Sequence, residues 1–177
     1  MRKIAIIVGS KSDLSQCLYG LKLLEEYRND HPNEIEIVGV YVRSQHRNTL
    51  EVQELLRELT IMEVDVAIIG AGWANHLTGC SDAFLRYTLK NNQTVVIGVA
   101  FSDPESYRHS KAAILSITEV PGTQVIYQES GQIFADKTGF LSACSYAVYC
   151  ELPKIKVPEP KPIMDLTLEE ALKMSKN

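Results

Sequence analysis

The sequence predicts an α/β fold, a three-layer αβα sandwich built on a parallel sheet. Two observations carry this. Short apolar runs alternate with stretches of helical periodicity over residues 1–150, and such alternation implies a parallel sheet covered on both faces. The first run, Ile4-Ala5-Ile6-Ile7-Val8, is continuously apolar, as in a buried strand.

The elements follow in order. A first strand spans residues 3–8, and Leu14, Leu18, Leu21 and Leu24 then mark one face of a helix over 14–27. A second strand spans 35–42. The helix after it, over 50–59, carries the apolar stripe Val52, Leu55, Leu56 and Leu59, with Asn48 and Glu51 at capping-box spacing. A third strand, 64–69, leads to a helix over 77–89, and a fourth, 94–99, leads to a helix over 111–118. A fifth strand, 125–127, precedes a helix over 136–150. Right-handed crossovers leave few topologies, and the flavodoxin-like strand order 2-1-3-4-5 is expected.

After Glu151 the composition changes. Pro153, Pro158, Pro160 and Pro162 cannot sit inside a helix or a central strand. The α/β domain is therefore expected over 1–152, and a C-terminal extended arm with a short helix over 153–177. Thr167-Leu168-Glu169-Glu170 has capping-box spacing, and Leu168, Leu172 and Met174 follow it. So short a helix is not stable alone; it is expected to dock on the body or on another subunit.

A length of 177 residues suits one domain, and 45% hydrophobic with 23% charged residues is the balance of a soluble globular protein. The net charge of −4 argues against a broad surface for nucleic acid or anionic membrane, so neither is expected as a partner. No stretch approaches the roughly 20 apolar residues of a membrane span. The N-terminus enters a strand without a secretory pattern. Cys17, Cys80, Cys144 and Cys150 form no C-x-x-C pair and read as reduced, mostly buried thiols of a cytoplasmic protein. The cysteines and histidines are scattered, so no metal is expected.

The predicted strand order gathers three loops at one edge of the sheet, where open α/β folds bind ligands. Gly9-Ser10-Lys11-Ser12-Asp13 follows strand one. Ser44-Gln45-His46-Arg47 follows strand two. Ala71-Gly72-Trp73-Ala74-Asn75-His76-Leu77-Thr78-Gly79 follows strand three. The first is small and rich in hydroxyls at a strand–helix junction, which suits a phosphate and equally suits ordinary capping. Arg47 offers a fork of donors to a phosphate, or forms a surface salt bridge. His46 is the best acid–base candidate, because imidazole can donate a proton and take it back. His76 is expected to face the same cleft, whereas His31 and His109 read as solvated. Gly70, Gly72 and Gly79 suggest close backbone approach to a ligand, or tight turns before a helix. Trp73 stacks on a base, caps the pocket, or packs.

Absences narrow the class. There is no G-x-G-x-x-G dinucleotide turn, no phosphate-binding P-loop and no G-x-S-x-G nucleophile elbow. What remains is a cleft for a phosphorylated sugar compound, with two histidines and no cofactor.

In order and spacing, Gly9-Ser10-Lys11-Ser12-Asp13, Ser44-x-His46-Arg47 and Ala71-Gly72-x-Ala74-x-His76-Leu77-x-Gly79 resemble the signatures of the PurE family of purine biosynthesis. Leu115-Ser116-Ile117 with Pro121-Gly122 resembles its later segment, and the likeness runs from about Lys3 to Cys150. The resemblance implies a symmetric homo-octamer that works on aminoimidazole ribonucleotides and CO2 without ATP, biotin or metal. It implies that Ser10, Asp13 and Arg47 bind phosphate and ribose, that His46 transfers protons, and that His76 lines the CO2 pocket. Gly9, Ser12, Ser44, Ala71, Gly72, Trp73 and Ala74 complete the expected substrate-binding set. The implied reaction is the mutase step, which moves a carboxylate from the exocyclic nitrogen of N5-carboxyaminoimidazole ribonucleotide to ring carbon four. The alternatives are direct carboxylation of aminoimidazole ribonucleotide, or a non-catalytic nucleotide-binding homologue in which Trp73 fills the pocket. The chain departs from the family pattern at several positions. Gln45 and Asn75 stand for alanine, Trp73 for glycine, Thr78 for proline, Ala100 for the proline of a Val-Pro step, and Lys137 for asparagine. Asn75 and Thr78 resemble the direct-carboxylase branch; His76 and Arg47 resemble the mutase branch.

Overall fold

The structure, a computed structural model, describes residues 1–175. Strands β1 (Arg2–Val8), β2 (Ile35–Val42), β3 (Val66–Ala71) and β4 (Val95–Ala100) form one parallel sheet in the order β2-β1-β3-β4. The helices are α1 (Leu18–Asp30), α2 (Thr49–Ile61), α3 (His76–Ala83), α4 (Tyr107–Thr118), α5 (Asp136–Tyr149) and α6 (Leu168–Met174).

Side chains of a strand alternate between faces, and β1 divides its residues accordingly. Ile4, Ile6 and Val8 join Leu24 of α1 with Phe140, Ala143 and Cys144 of α5 in one core. Ala5 and Ile7 join Val52, Leu55, Leu56 and Leu59 of α2 in the other. Those four α2 side chains are each 1% exposed, and such burial stabilises by about 1.5–3 kcal/mol apiece. Both faces of the sheet are thus covered, as the alternation predicts.

Several details differ from the sequence reading. The expected fifth strand is reduced to a single residue pair. Ile126 donates to Val96 O at 2.9 Å and accepts from Gly98 N at 2.8 Å. The chain then leaves the sheet for a small hairpin, β5 (Gln128–Glu129) and β6 (Gln132–Ile133). Its tip, Ser130-Gly131, has φ of +50° and +81°, the left-handed pair that tight hairpin turns require. The chain rejoins the sheet at Ala135, beside Ala100. The first expected helix is split: a 3-10 turn over Lys11–Gln16 precedes α1. Asn48 does not cap α2 with its side chain; its Oδ1 accepts from Ser44 N at 3.2 Å and tightens the loop before the helix. The helix expected over 77–89 continues past α3 as a π turn, Phe84–Thr88. Two of the four cysteines, Cys17 and Cys144, are buried, while Cys80 is exposed. Burial pushes the Cys17 thiol up to about 12, which keeps it an inert packing group.

The π turn carries a charged side chain into the interior. Arg86 is fully buried. Its Nε donates to Asp82 Oδ1 at 3.0 Å, and its terminal nitrogens donate to Asn91 O at 2.8 Å and Thr94 O at 2.6 Å. Asp82 Oδ2 accepts from Thr123 Oγ1 and Gln124 N. Burial pulls the Arg86 guanidinium below its usual range and Asp82 opposes the shift.

Leu152, at the end of the domain, and Ile155 of the arm pack on the core of the α1–α5 face. Lys156 N donates to Gln124 Oε1 at 2.8 Å. Beyond Pro158 every described residue is exposed. The α6 helix has the expected capping box, Thr167 with Glu170. It does not dock on its own body: Leu168 is 70% and Leu172 52% exposed.

Candidate functional site

The carboxyl ends of the strands open into one cleft of about 690 Å3. The loops after β1, β2 and β3 all line it, as the strand order requires. Gly9, Ser10, Ser12, Asp13, Ser44, His46, Arg47, Ala71, Gly72, Trp73, Ala74 and His76 all border this cavity. Every expected site residue is therefore brought together.

The two histidines touch. His46 Nε2 lies 2.8 Å from His76 Nδ1, with the rings edge-on at 80°. A contact this short between ring nitrogens requires a proton between them, donated by one imidazole to the lone pair of the other. Both rings are exposed to the cleft. His46 is held by the turn between β2 and α2, and His76 is the first residue of α3. The arrangement is a proton donor and a proton acceptor on two separate elements, able to exchange roles.

At the floor, Asp13 is buried. A Cβ on Gly9 would fall 2.8 Å from Ala71 Cβ and 3.3 Å from Asp13 Oδ2, so only glycine allows β1 to end this close to β3. Burial raises the Asp13 carboxyl above its usual range; hydrogen bonds from Ser10 and Gly72 and the charge of Arg47 oppose the rise. The Ser10 and Ser12 hydroxyls share a 2.6 Å hydrogen bond, and both residues border the cavity. Among the described residues, Asp82 pairs with Arg86 at 3.0 Å, and Asp103 is hydrogen-bonded to the His109 imidazole at 2.7 Å. Arg47 is exposed and holds no carboxylate at contact distance among the described residues, which leaves its guanidinium accessible from the cleft.

Some expectations change. Gly70 and Gly79 serve packing rather than ligand approach: a Cβ on Gly70 would strike the Phe101 ring at 2.6 Å, and one on Gly79 would press on Val120. Trp73 does not fill the cavity, since it is 64% exposed at the rim. His109 is not simply solvated; it lies on α4, bonded to Asp103 and stacked against Trp73. Asn75 and Thr78 are fully buried. Asn75 accepts from Thr78 N at 3.1 Å to cap α3 and donates to Val99 O at 2.9 Å, while Thr78 Oγ1 donates to Ile69 O at 3.0 Å. Both side chains are turned into the fold beneath the cleft.

The cavity also includes residues the motifs did not mark: Gln16, Ser102, Asp103 and Pro104. Gln16 bonds Ser102 twice through the backbone, at 2.9 and 3.1 Å, and so joins the first loop to the loop after β4. The rule that placed the other three loops applies to strand four as well, and Ala100-Phe101-Ser102-Asp103-Pro104 was its signal.

Comparison with known proteins fits this geometry. A family model described as AIR carboxylase matches residues 3–131. A stretch of 79 residues is 35% identical to the N5-carboxyaminoimidazole ribonucleotide mutase of Pyrococcus abyssi (strain GE5 / Orsay), covering 45% of this chain and 41% of that protein. The match thus spans less than half of the relative's length. The fold resembles PurE of Treponema denticola, with a TM-score of 0.54 at 19% identity over 84% of this chain and 82% of that one. It also resembles a type II dehydroquinase of Butyrivibrio crossotus DSM 2876, with a TM-score of 0.51 at 14% identity over 82% of this chain and 97% of that one. At these identities the two structures speak for the shared fold alone.

Proposed function

The chain belongs to the AIR carboxylase family, and from that premise we propose that it is a mutase of purine biosynthesis. Its substrate in this reading is N5-carboxyaminoimidazole ribonucleotide and its product the 4-carboxy isomer. The observation that carries the reading is the 2.8 Å contact between His46 and His76 at the mouth of the cleft.

The reaction needs what this pair can supply. Breaking the bond between the exocyclic nitrogen and the carboxylate releases CO2 and leaves a nitrogen that must gain a proton. Attack of ring carbon four on the CO2 forms the new bond and leaves that carbon with a proton to lose. His46 gives the first proton and takes the second, and so ends as it began. His76, bonded to His46, fixes the direction of its ring and borders the space where CO2 is held. A confined CO2 next to the ring acts at high effective concentration. The phosphate and ribose are held by Ser10, Ser12, Asp13 and Arg47, with Gly9, Ser44, Ala71, Gly72 and Ala74 forming the walls. No step calls for a metal or an organic cofactor.

Direct carboxylation of aminoimidazole ribonucleotide is the rival reading. Its sequence support was Asn75 and Thr78, but these are spent on capping α3 and on backbone carbonyls. The residues that border the cleft, His76 and Arg47, favour the mutase. Assembly belongs to the same proposal. The arm over 153–177 carries Ile163 at 90% and Met164 at 65% exposed beside the bare face of α6, which suits burial against other subunits of a closed homo-octamer. No described helix is long and apolar enough to cross a membrane, and a cytoplasmic site of action completes the reading.

The test supplies each nucleotide separately at limiting bicarbonate and follows product at ring carbon four. Turnover of the N-carboxylated nucleotide without bicarbonate supports the mutase. Turnover only of aminoimidazole ribonucleotide with bicarbonate assigns the carboxylase, and turnover of neither leaves a binding protein.

A further inference from the structure

Trp73 has features that the proposed chemistry leaves unused. Its backbone lies at φ +54°, a left-handed conformation that is unfavourable for a bulky residue. Such a conformation persists where the surroundings over-determine it, and these positions cluster at ligand sites. Here the surroundings are visible. The indole stacks on the His109 imidazole, with centroids 3.8 Å apart and planes within 22°. His109 Nδ1 lies 2.7 Å from Asp103 Oδ2. Asp103 is itself fixed: its Oδ1 accepts from Glu105 N at 2.9 Å, and its own N donates to Ser110 Oγ at 2.9 Å. The hydrogen bond from His109 holds the Asp103 carboxyl below its usual range, so it meets the imidazole as a carboxylate.

The result is a carboxylate, an imidazole and an indole in series, ending at the cleft. A packing tryptophan would be covered on both faces. This one is covered on one face by His109 and still remains 64% exposed at the cavity rim. We propose that Trp73 is a stacking platform for the planar heterocycle of the bound ribonucleotide, with His109 and Asp103 as positioning residues that hold the indole in place. This rests on the reading of the cleft as a ribonucleotide site, and it assigns discrimination for the base to a residue outside the proton-transfer pair. An indole face accepts any flat heterocycle. The platform therefore separates nucleotides from sugar phosphates that lack a base.

The chain contains a single tryptophan, so its fluorescence reports on this position alone. The experiment titrates the full-length protein with aminoimidazole ribonucleotide and, separately, with ribose 5-phosphate, following both emission and heat of binding. The nucleotide is expected to quench the emission and ribose 5-phosphate to leave it unchanged. Trp73→Gly relieves the left-handed strain, so the fold is not at risk. It is expected to weaken the nucleotide about 10-fold, the size of one base–aromatic stack, and to leave ribose 5-phosphate within about twofold. Trp73→Tyr should recover most of the difference. Asp103→Ala should lower the ratio of nucleotide to ribose 5-phosphate affinity, and Asp103→Asn, which keeps an acceptor for His109, should lower it less. Nucleotide binding without quenching, or a Trp73→Gly variant that weakens both ligands equally or neither, overturns the platform while the nucleotide reading stands. A parent protein that binds neither ligand overturns both.

Discussion

Arg47 and Arg86 are the same side chain under opposite conditions. Arg86 is fully buried, paired with Asp82 and bonded to two carbonyls. Arg47 stands at the cleft with no carboxylate at contact distance among the described residues. A buried charge is tolerated only when its donors are met, and removing one partner then leaves the other uncompensated. An exposed charge carries no such penalty and can wait for an anion. The difference teaches how to read polar groups in this fold. Those in the Asp82–Arg86 network and in the Asn75–Thr78 cap have their bonds made within the chain and serve architecture. Those at the cleft, Arg47, Ser10, Ser12 and the histidine pair, border the cavity and are the groups that the proposed function assigns to a ligand.

Substitutions can break this division. The largest effect is expected in the buried network. Asp82→Ala strands the Arg86 guanidinium and should lower stability by about 3–5 kcal/mol in urea unfolding, whereas joint replacement of Asp82 and Arg86 by apolar residues of similar volume should recover much of that loss. A mild effect of Asp82→Ala would show that the network is not what holds the π turn. His46→Asn should reduce turnover by about 100-fold or more with stability and nucleotide binding largely kept; near-normal rates would remove His46 from the chemistry. Arg47→Ala should weaken nucleotide binding by about 1.5–3 kcal/mol, the scale of a lost charged hydrogen bond, with little change in unfolding. Unchanged affinity by calorimetry would place the phosphate elsewhere.

Asp13 sharpens the comparison, because it belongs to the cleft and is buried. Burial raises its carboxyl above the ordinary range, so the folded protein binds this proton more tightly than the unfolded chain does. Stability from this group is therefore present at low pH and lost as pH rises through the raised value; at neutral pH the ionised carboxylate is a small liability. Asp13→Asn is expected to raise the unfolding midpoint modestly at neutral pH while weakening the nucleotide. The gain should shrink as pH falls through the raised value and be gone once pH is below the usual carboxylate range. A destabilised Asp13→Asn at neutral pH would mean that the hydrogen bonds from Ser10 and Gly72 outweigh burial.

The same contrast explains what was legible in the sequence. Strands β1, β3 and β4 announce themselves as unbroken apolar runs, and with β2 beside β1 their order sends the Gly9, His46 and Trp73 loops to one edge. Local signals of that kind survive folding. Asn75 and Thr78 lie in the cleft loop after β3 by sequence; only the packing of α3 against β3 and β4 turns them inward. Arg86 gave no signal, since its burial depends on the π turn and on carbonyls of Asn91 and Thr94. His109 falls outside the helix expected over 111–118, whereas α4 begins four residues earlier at Tyr107, with Ser106 accepting from His109 N. The fifth strand has the right residues at 125–127, but the hairpin turn at Ser130-Gly131 draws the chain away after one pair. What failed depends on backbone irregularities, a π turn, an early helix start and a tight hairpin, that the spacing of apolar residues does not mark.

The central claim, a carboxylate that migrates within the cleft under the His46–His76 pair, is tested most directly by following a carboxyl label. The nucleotide labelled at the N-carboxylate is converted in unlabelled bicarbonate, and the product is analysed for the label at the carboxylate on ring carbon four. Retention of most of the label is the predicted result, because released CO2 is captured before it escapes. Product whose carboxylate comes from the bulk bicarbonate would contradict the account.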